Sequence, residues 1–403
     1  MATLTATAHS TVTVTKRWWG VAAAMFAIAW GGNEFTPLLV MYKNNGLSVT
    51  TVNFLLFAYV LGIVPALLIG GPLSDRYGRA VLLRPAPLIS AAGSLLIAFG
   101  SASVTVMSIG RVLCGIALGL AMAVGSSWLK ELAADRPSGT GARRSAMSLT
   151  GGFAAGAGCA GVLAQWAPLP DTLPFLISVA LCLVATAWVT RAPETVPRNA
   201  TPGRLVDDIK VPAAGHRRFV RIALPIALWL FSSAATAYAI MPTLMAGRIH
   251  STPIAFSALV GVLTLGCGFA IQSVARRIDR PGTARTAALS LTLTTVGMVI
   301  AAWSSATLTL WSTLATALVL GAGYGIGLVA GLQEIERIAL PTDLAGLTAV
   351  FYSVSYLGFG APALLSLLHQ VTGASYPTMF GIGAGIAACC LAVVLRDYRI
   401  RTP

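Results

Sequence analysis

Two ionisable side chains lie inside long apolar stretches of the sequence, Glu34 in the first stretch and Arg111 in the fourth. A charged side chain at the centre of a membrane span costs about 2.5–3.5 kcal/mol on insertion scales, so such a residue is a functional candidate by default. Each lies roughly 10–12 Å from the same membrane surface at about 1.5 Å of helix rise per residue, so the two side chains can meet. We predict that Glu34 binds a coupling proton or a cationic substrate and that Arg111 tunes its pKa. The alternative is a static, structural ion pair.

No other pattern for chemistry occurs in the sequence. There is no Walker phosphate loop, no nucleophile elbow and no cluster of His and Cys with metal-ligand spacing. The six cysteines all lie in apolar stretches, without a CxxC pair. We therefore predict no enzyme activity, no metal site, no disulfide and no cofactor, with a proton gradient as the source of energy.

The composition is that of a membrane protein. Hydrophobic residues make up 56% of the chain and charged residues 10%, with a mean hydropathy of +0.79. The net charge of +14 does not indicate nucleic acid, because basic residues occur in small groups between apolar stretches. Stretches of about twenty residues are long enough to cross a bilayer as helices. The predicted spans are 18–42, 52–73, 80–100, 104–132, 144–166, 171–190, 219–245, 254–275, 284–303, 308–334, 343–368 and 374–396.

The twelve predicted spans fall into two halves. Asp75-Arg76-Tyr77-Gly78 follows span two, and Asp279-Arg280-Pro281-Gly282 follows span eight at an offset of 204 residues. Parallel repeats of this kind are typical of transporters that bind substrate between their halves. We predict an all-α membrane protein with two pseudo-symmetric six-helix bundles. The predicted boundaries are 1–17 for an N-terminal tail, 18–190 for the first bundle, 191–216 for a linker, 217–396 for the second bundle and 397–403 for a C-terminal tail.

The basic residues predict the orientation in the membrane. If both termini are cytoplasmic, 24 of the 27 Lys and Arg residues fall on the cytoplasmic side, and only Lys43 and Arg248 fall outside. The excess of Arg over Lys and the abundance of Ala and Gly indicate a GC-rich bacterial source. We therefore predict a multi-pass protein of the bacterial inner membrane with cytoplasmic termini.

The segment Gly71–Arg79 follows span two and carries a distinctive charge pattern. Asp75 and Arg79 can form a charge pair, while Gly71 and Gly78 permit a tight turn with close helix approach. A simple topological turn is the alternative. The segment resembles the loop signature of the major facilitator superfamily, which implies that it ties the halves together near the start of span eleven and stabilises the outward-facing state. The conformational gate implied by this resemblance consists of Gly71, Asp75, Arg76, Gly78, Arg79, Asp279, Arg280 and Asp343.

Three further stretches resemble motifs of the same superfamily. Met107–Gly115 in span four is similar to its intramembrane arginine motif, with Cys114 in place of the usual Gln. Gly31–Leu38 in span one is similar to a signature of twelve-span drug:proton antiporters. Span five resembles the glycine-rich antiporter motif, although Ala157 and Ala160 depart from its usual residues, and close helix packing is the alternative explanation of its glycines. These glycines are Gly152, Gly156, Gly158 and Gly161.

Polar and aromatic residues within the spans are candidates for a substrate site between the halves. Aromatic rings with a few polar groups suit amphiphilic or aromatic ligands. For each aromatic residue alone, ordinary packing or a place in the interfacial belt is the alternative. The predicted substrate site consists of Asn33, Glu34, Phe35, Asn53, Phe57, Tyr59, Gln165, Trp229, Tyr238, Gln272, Tyr324, Tyr352 and Tyr356.

Together these features predict a secondary transporter. The resemblance to drug:proton antiporters implies efflux of small hydrophobic or cationic compounds by proton antiport and alternating access, as in multidrug efflux. A proton symporter or a dedicated exporter of one metabolite is the alternative, because span five departs from the antiporter pattern. A non-transporting membrane receptor is a remote alternative. The expected partners are a small-molecule substrate, protons and the lipid bilayer, and the resemblance implies a monomer.

Overall fold

The protein is described by a computed structural model that covers residues 18–137, 139–196, 210–280, 282–340 and 343–397. The predicted N-terminal tail, residues 197–209 of the predicted linker, Pro281 and residues 398–403 of the predicted C-terminal tail lie outside the described residues. Within the described ranges the chain forms helices joined by short connections and contains no strand.

Among the described residues, ten helices are long and apolar enough to cross a membrane, judged by length and composition. They coincide with ten predicted spans, and the other two spans are also helical. Span six is the shorter apolar helix Leu173–Val189, and span one is a pair of helices, Trp18–Asn33 and Phe35–Asn44. The ten long helices are Val49–Tyr77, Arg79–Phe99, Val104–Glu131 and Thr140–Trp166 for spans two to five, and Phe219–Met245, Pro253–Ile278, Arg285–Thr307, Leu310–Ile338, Leu344–Thr372 and Tyr376–Arg396 for spans seven to twelve.

Span one is interrupted at the position of its acidic residue. Pro37 has no N–H to donate to the carbonyl of Asn33, so the hydrogen-bond ladder is broken there. Glu34 itself keeps helical backbone angles, with φ −61° and ψ −29°, and the second helix continues in the same sense. The interruption therefore places Glu34 at a local irregularity inside the membrane-spanning region.

Three other spans contain irregular turns at their middle. Span four has a π-helical segment at Ala121–Gly125, and span seven has one at Thr236–Ile240, directly before the proline-containing turn Met241–Met245. Span eleven has a 3-10 turn at Gly358–Gly360. Irregular segments within helices are frequent at functional sites, because they change which side chains share a face.

Glycines bring spans two and four together in the first half. A Cβ added at Gly62 would lie 2.1 Å from a carbonyl oxygen of span four, and one at Gly115 would lie 2.0 Å from a carbonyl oxygen of span two. Spans eight and ten repeat the arrangement in the second half, where a Cβ added at Gly325 would lie 2.0 Å from the carbonyl oxygen of Gly268. In both halves, the packing of the two equivalent helices therefore depends on direct contact between their backbones.

The turn after span two uses only one of its two predicted glycines. Gly78 has a φ of +103°, a conformation that glycine adopts without strain, and it ends the helix. Gly71 lies inside the helix Val49–Tyr77, and a Cβ added there would meet nothing within 4 Å. The prediction that Gly71 permits the turn and a close helix approach is therefore wrong, because the helix continues to Tyr77 and no neighbour approaches Gly71.

The two halves contact each other along two lines. Span eight packs on span five and on the second helix of span one, while span eleven packs on span two. The central irregular turns of spans four, seven and eleven lie near this junction.

Candidate functional site

Glu34 is fully buried inside the first half. Its Oε1 accepts a hydrogen bond of 3.2 Å from Ser94 Oγ of span three, and Ser94 lies 3.3 Å from Ser178 Oγ of span six. Its Oε2 has no hydrogen-bond partner among the residues that the structure describes. Gly31, one turn earlier, leaves room for these hydroxyls, because an added Cβ would lie 2.7 Å from Ser178 Oγ. The carboxylate therefore faces spans three and six rather than the second half.

Arg111 is also fully buried, on the neighbouring side of the same interior. Its Nε donates to the carbonyl of Leu55 in span two at 3.3 Å. Its Cζ lies 4.6 Å from the ring centroid of Phe35 and 4.3 Å from that of Tyr59, distances typical of cation–π contacts. Nη1 and Nη2 have no hydrogen-bond partner among the described residues. Arg111 and Glu34 interact electrostatically but form no salt bridge, so the predicted residues share one interior without pairing.

Tyr59 occupies a space that span one leaves open. A Cβ added at Gly32 would lie 2.1 Å from the Tyr59 hydroxyl oxygen and 3.5 Å from the Phe153 ring of span five. The Tyr59 hydroxyl has no hydrogen-bond partner among the described residues. Asn33 ties span one to span five, since its Nδ2 donates to the carbonyl of Phe153 at 3.1 Å. The Tyr59 side chain can thus take this position only because residue 32 is a glycine.

Five aromatic rings of the second half pack against one another. Phe231 of span seven lies 4.4 Å from Tyr356, 5.0 Å from Phe359 and 5.7 Å from Tyr324, measured between ring centroids. Tyr238 joins at 6.4 Å from Phe359. We refer to Phe231, Tyr238, Tyr324, Tyr356 and Phe359 as the aromatic cluster. The sequence predicted three of these residues and missed Phe231 and Phe359.

The first half contacts the aromatic cluster near the middle of the membrane region. The hydroxyl of Tyr356 lies 3.1 Å from the sulfur of Met122, within the π-helical segment of span four. The Phe57 ring lies 3.1 Å from the position that a Cβ would take at Gly360, beside the cluster. Tyr59 lies within electrostatic range of Tyr238 and Tyr356. The first half therefore contacts the aromatic cluster directly at Tyr356.

Three other predicted substrate residues are not members of this cluster. Trp229 faces span twelve, where its ring lies 3.7 Å from the position of a Cβ at Gly383. Tyr352 packs edge-on against Phe351 at 5.9 Å, and Gln272 is half-buried in span eight. Within the described ranges, no group of three or more His, Cys, Asp and Glu side chains could hold a metal ion.

Gln165 joins the halves at the membrane face opposite to Arg79. Its Oε1 accepts hydrogen bonds from the backbone N–H groups of Ile254 at 3.0 Å and Ala255 at 3.3 Å, and its Nε2 donates to the Ser251 carbonyl at 3.3 Å. The side chain thereby caps the free N–H groups at the start of span eight. Three more hydrogen bonds cross between the halves on this side of the aromatic cluster: Lys43 Nζ to the Thr243 carbonyl, Thr50 Oγ1 to Gln370 Oε1, and Asn53 Nδ2 to the Pro362 carbonyl.

At the membrane face of Arg79, termed the basic face, the first half holds a compact charge cluster. Arg79 pairs with Asp75 at 2.5 Å and with Glu131, at the end of span four, at 2.7 Å. The predicted Asp75–Arg79 charge pair is therefore present in the structure. Its contacts bind the loop after span two to span four of the same half.

The second half carries an equivalent cluster. Glu334 lies 203 residues after Glu131 and pairs with Arg218 of span seven at 2.8 Å and with Arg337 at 2.5 Å, and Arg337 also pairs with Asp279. Arg218 and Glu334 are both buried. Arg76, Arg280 and Asp343 lie at the same face, at the ends of spans two and eight and at the start of span eleven. A gate that joins the halves through these residues stays a prediction.

Glu194 lies in the segment that follows span six, and its hydrogen bonds hold this segment against the first half. Its carboxylate accepts hydrogen bonds from the backbone N–H groups of Arg79 at 3.0 Å and Ala80 at 2.9 Å, at the start of span three. It also accepts from the N–H groups of Thr195 and Val196. Partial burial favours a raised pKa, but the four backbone donors outweigh it and lower the pKa of Glu194.

The glycines of span five contact two different neighbours. Cβ atoms added at Gly152 and Gly156 would lie 2.4 and 2.3 Å from carbonyl oxygens of span one. Cβ atoms added at Gly161 and Gly158 would lie 2.2 and 3.4 Å from side chains of span eight, in the other half. Close packing accounts for their positions, and an antiporter-specific role stays a prediction.

Comparisons with known proteins agree on the fold. Residues 19–246 match the family model described as Major Facilitator Superfamily. Among curated protein sequences, none matches this chain. Three solved structures are similar over nearly their whole length: a POT family transporter in complex with 5-aminolevulinic acid (12% identity, 94% of this chain and 96% of that chain, TM-score 0.77), the peptide transporter POT in complex with sulfate (14%, 95% and 94%, 0.72) and a D-xylose-proton symporter (15%, 96% and 97%, 0.70). The predicted all-helical membrane fold is confirmed.

Proposed function

Because the chain belongs to the Major Facilitator Superfamily, a family of transporters rather than enzymes, we propose that it is a proton-coupled transporter of small hydrophobic or aromatic molecules. We further propose that the basic face is cytoplasmic, that the membrane is a bacterial inner membrane and that the protein works as a monomer.

The observation that carries the proton coupling is the burial of Glu34. Its carboxylate has no exposed surface, and one of its two oxygens lacks a hydrogen-bond partner among the described residues. An ionised carboxylate in such a place is costly, and binding a proton removes the charge. Because Glu34 sits at the interruption of span one, a change in its charge acts on a helix that lies at the junction of the halves.

The aromatic cluster supports a substrate with an apolar, ring-containing body. Its members lie on spans seven, ten and eleven and face span four and span two across the junction. Efflux of cations by antiport is the direction that the sequence motifs favour. The carboxylate that such a cation needs points toward Ser94 and Ser178, so the geometry favours Glu34 as a proton carrier over Glu34 as a cation site. Symport is the second candidate, because one similar structure is that of a proton symporter.

Transport in proteoliposomes tests the proposal. An imposed pH gradient of either sign is applied, and the movement of ethidium, of a neutral aromatic probe and of benzenesulfonate is followed for wild type, Glu34→Gln and the control Glu336→Gln. Glu336 is an exposed carboxylate at the end of span ten, so its loss should not affect coupling. We expect gradient-driven transport in wild type and the control only. The sign of the driving gradient distinguishes antiport from symport, and absence of gradient-driven movement of any probe would contradict the proposal.

A further inference from the structure

Arg111 is a buried cation without an adjacent counter-ion. Its Nε is satisfied by the Leu55 carbonyl, while Nη1 and Nη2 have no partner among the described residues. Buried charges in proteins are normally paired and hydrogen-bonded. Glu34 does not fill this role, because its carboxylate is turned to Ser94 and forms no salt bridge with Arg111. The two terminal nitrogens are therefore able to receive an anionic group.

One side chain separates this guanidinium from the aromatic cluster. The Tyr59 ring lies 4.3 Å from Arg111 Cζ on one side and is within electrostatic range of Tyr238 and Tyr356 on the other. Its hydroxyl holds no hydrogen bond to a described residue, so no polar contact fixes it in place. A rotation of Tyr59 would turn the guanidinium of Arg111 open toward the aromatic cluster.

The aromatic cluster itself holds no carboxylate and interacts with a cation. It consists of three tyrosines and two phenylalanines, and its member Tyr238 interacts electrostatically with Arg111. We propose that the substrate is a small aromatic anion, such as a ring bearing a carboxylate or sulfonate, whose anionic group binds Nη1 and Nη2 of Arg111 while its ring lies in the aromatic cluster. This proposal rests on the proposed function, because it names the substrate of the same site.

The substrate's charge also determines the sign of the coupling. A proton on Glu34 removes a negative charge that lies within electrostatic range of Arg111, and thereby strengthens the binding of an anion there. The proton and the anion then strengthen each other's binding, a coupling that favours symport. The titratable groups that face Glu34 are Tyr42 of span one, Tyr59 of span two, Arg111 and Cys114 of span four, and Cys182 of span six.

Equilibrium binding to purified protein, without any gradient, tests this inference. Benzenesulfonate, benzamide and benzyltrimethylammonium share a ring and differ in charge, and calorimetry gives their affinities for wild type, Arg111→Gln and the control Arg248→Gln, an exposed arginine. We expect the sulfonate to bind tightest, Arg111→Gln to weaken it by about tenfold or more, and Arg248→Gln to leave it unchanged. The sulfonate stays ionised throughout, so tighter binding at lower pH, absent in Glu34→Gln, would support the coupling.

Two results would overturn the inference: tighter binding of the ammonium probe to wild type, or unchanged sulfonate affinity in a folded Arg111→Gln. If that variant does not fold, the order of the three probes on wild type decides the matter alone. Sulfonate binding without any gradient-driven transport would contradict the proposed function and leave the anion site standing. Gradient-driven transport of probes that bind equally well whatever their charge would support the proposed function and contradict the anion site.

Discussion

Glu34 and Arg111 lie in the same buried interior of the first half and do not pair with each other. Glu34 accepts a hydrogen bond from Ser94, and Arg111 donates its Nε to a backbone carbonyl. A direct salt bridge would stabilise the charged form of both groups. Because the two are held apart, Glu34 Oε2 and the two terminal nitrogens of Arg111 have no hydrogen-bond partner among the described residues. We propose that Glu34 binds and releases a proton there, and that Arg111 binds and releases an anion.

Replacing Gln165 should favour opening of the face opposite to the basic face. Gln165→Ala removes three hydrogen bonds between the halves, and a loss of about 1–2 kcal/mol corresponds to a roughly five- to thirty-fold change in population. Distances between spin labels at the ends of spans five and eight measure the shift. Gln272→Ala, at a half-buried glutamine of span eight, is the matched control and should show wild-type distances. Identical distance distributions for both variants would refute the role of Gln165.

Removing one member of the buried pair between Arg218 and Glu334 should destabilise the second half strongly. Glu334→Ala leaves Arg218 buried without its main partner, and breaking such a pair costs about 3–5 kcal/mol. The double variant Arg218→Met/Glu334→Met should recover part of the loss, because it leaves no uncompensated charge. Thermal unfolding in detergent gives both values. A Glu334→Ala variant as stable as wild type would show that the buried pair between Arg218 and Glu334 does not contribute to the stability of the second half.

Two glycines of the first half should respond in opposite ways to alanine. At Gly115 the new Cβ would meet a carbonyl oxygen at 2.0 Å, so spans two and four must separate and the melting temperature should fall. At Gly71 nothing lies within 4 Å, and alanine is the better helix former by about 0.5–1 kcal/mol, so stability should stay equal or rise. Thermal unfolding of both variants in the same detergent checks this. A stable Gly115→Ala would contradict the close backbone approach.

The stability that Glu194 contributes should depend on pH. Its pKa is lower in the folded protein than in the unfolded chain, so its contribution is present above the unfolded pKa and is lost as the pH falls through the folded pKa. The difference in melting temperature between wild type and Glu194→Gln should therefore be present at neutral pH and shrink toward zero in acid. A difference that does not change with pH would show that the backbone hydrogen bonds do not require the charge.

The sequence predicted the spans well because the length and hydrophobicity of a segment decide whether it crosses a membrane. It could not predict which way Glu34 faces, because span one is apolar on all sides and its rotation depends on packing against Ser94 and Ser178. It also chose Trp229 and missed Phe231. Two residues of a helix are about 200° apart, so these side chains face opposite neighbours, span twelve and the aromatic cluster. The π-helical and 3-10 turns shift the register further, and their positions follow from tertiary contacts.

Proton movement through the protein shows directly whether Glu34 carries the coupling proton. Proteoliposomes that enclose a pH-sensitive dye report proton movement when substrate is added outside, for wild type, Glu34→Gln and Glu336→Gln. Substrate-induced proton movement in wild type and Glu336→Gln, together with substrate exchange but no proton movement in Glu34→Gln, is the predicted result. Proton movement that persists in Glu34→Gln at the wild-type ratio of protons to substrate would show that another residue carries the coupling proton.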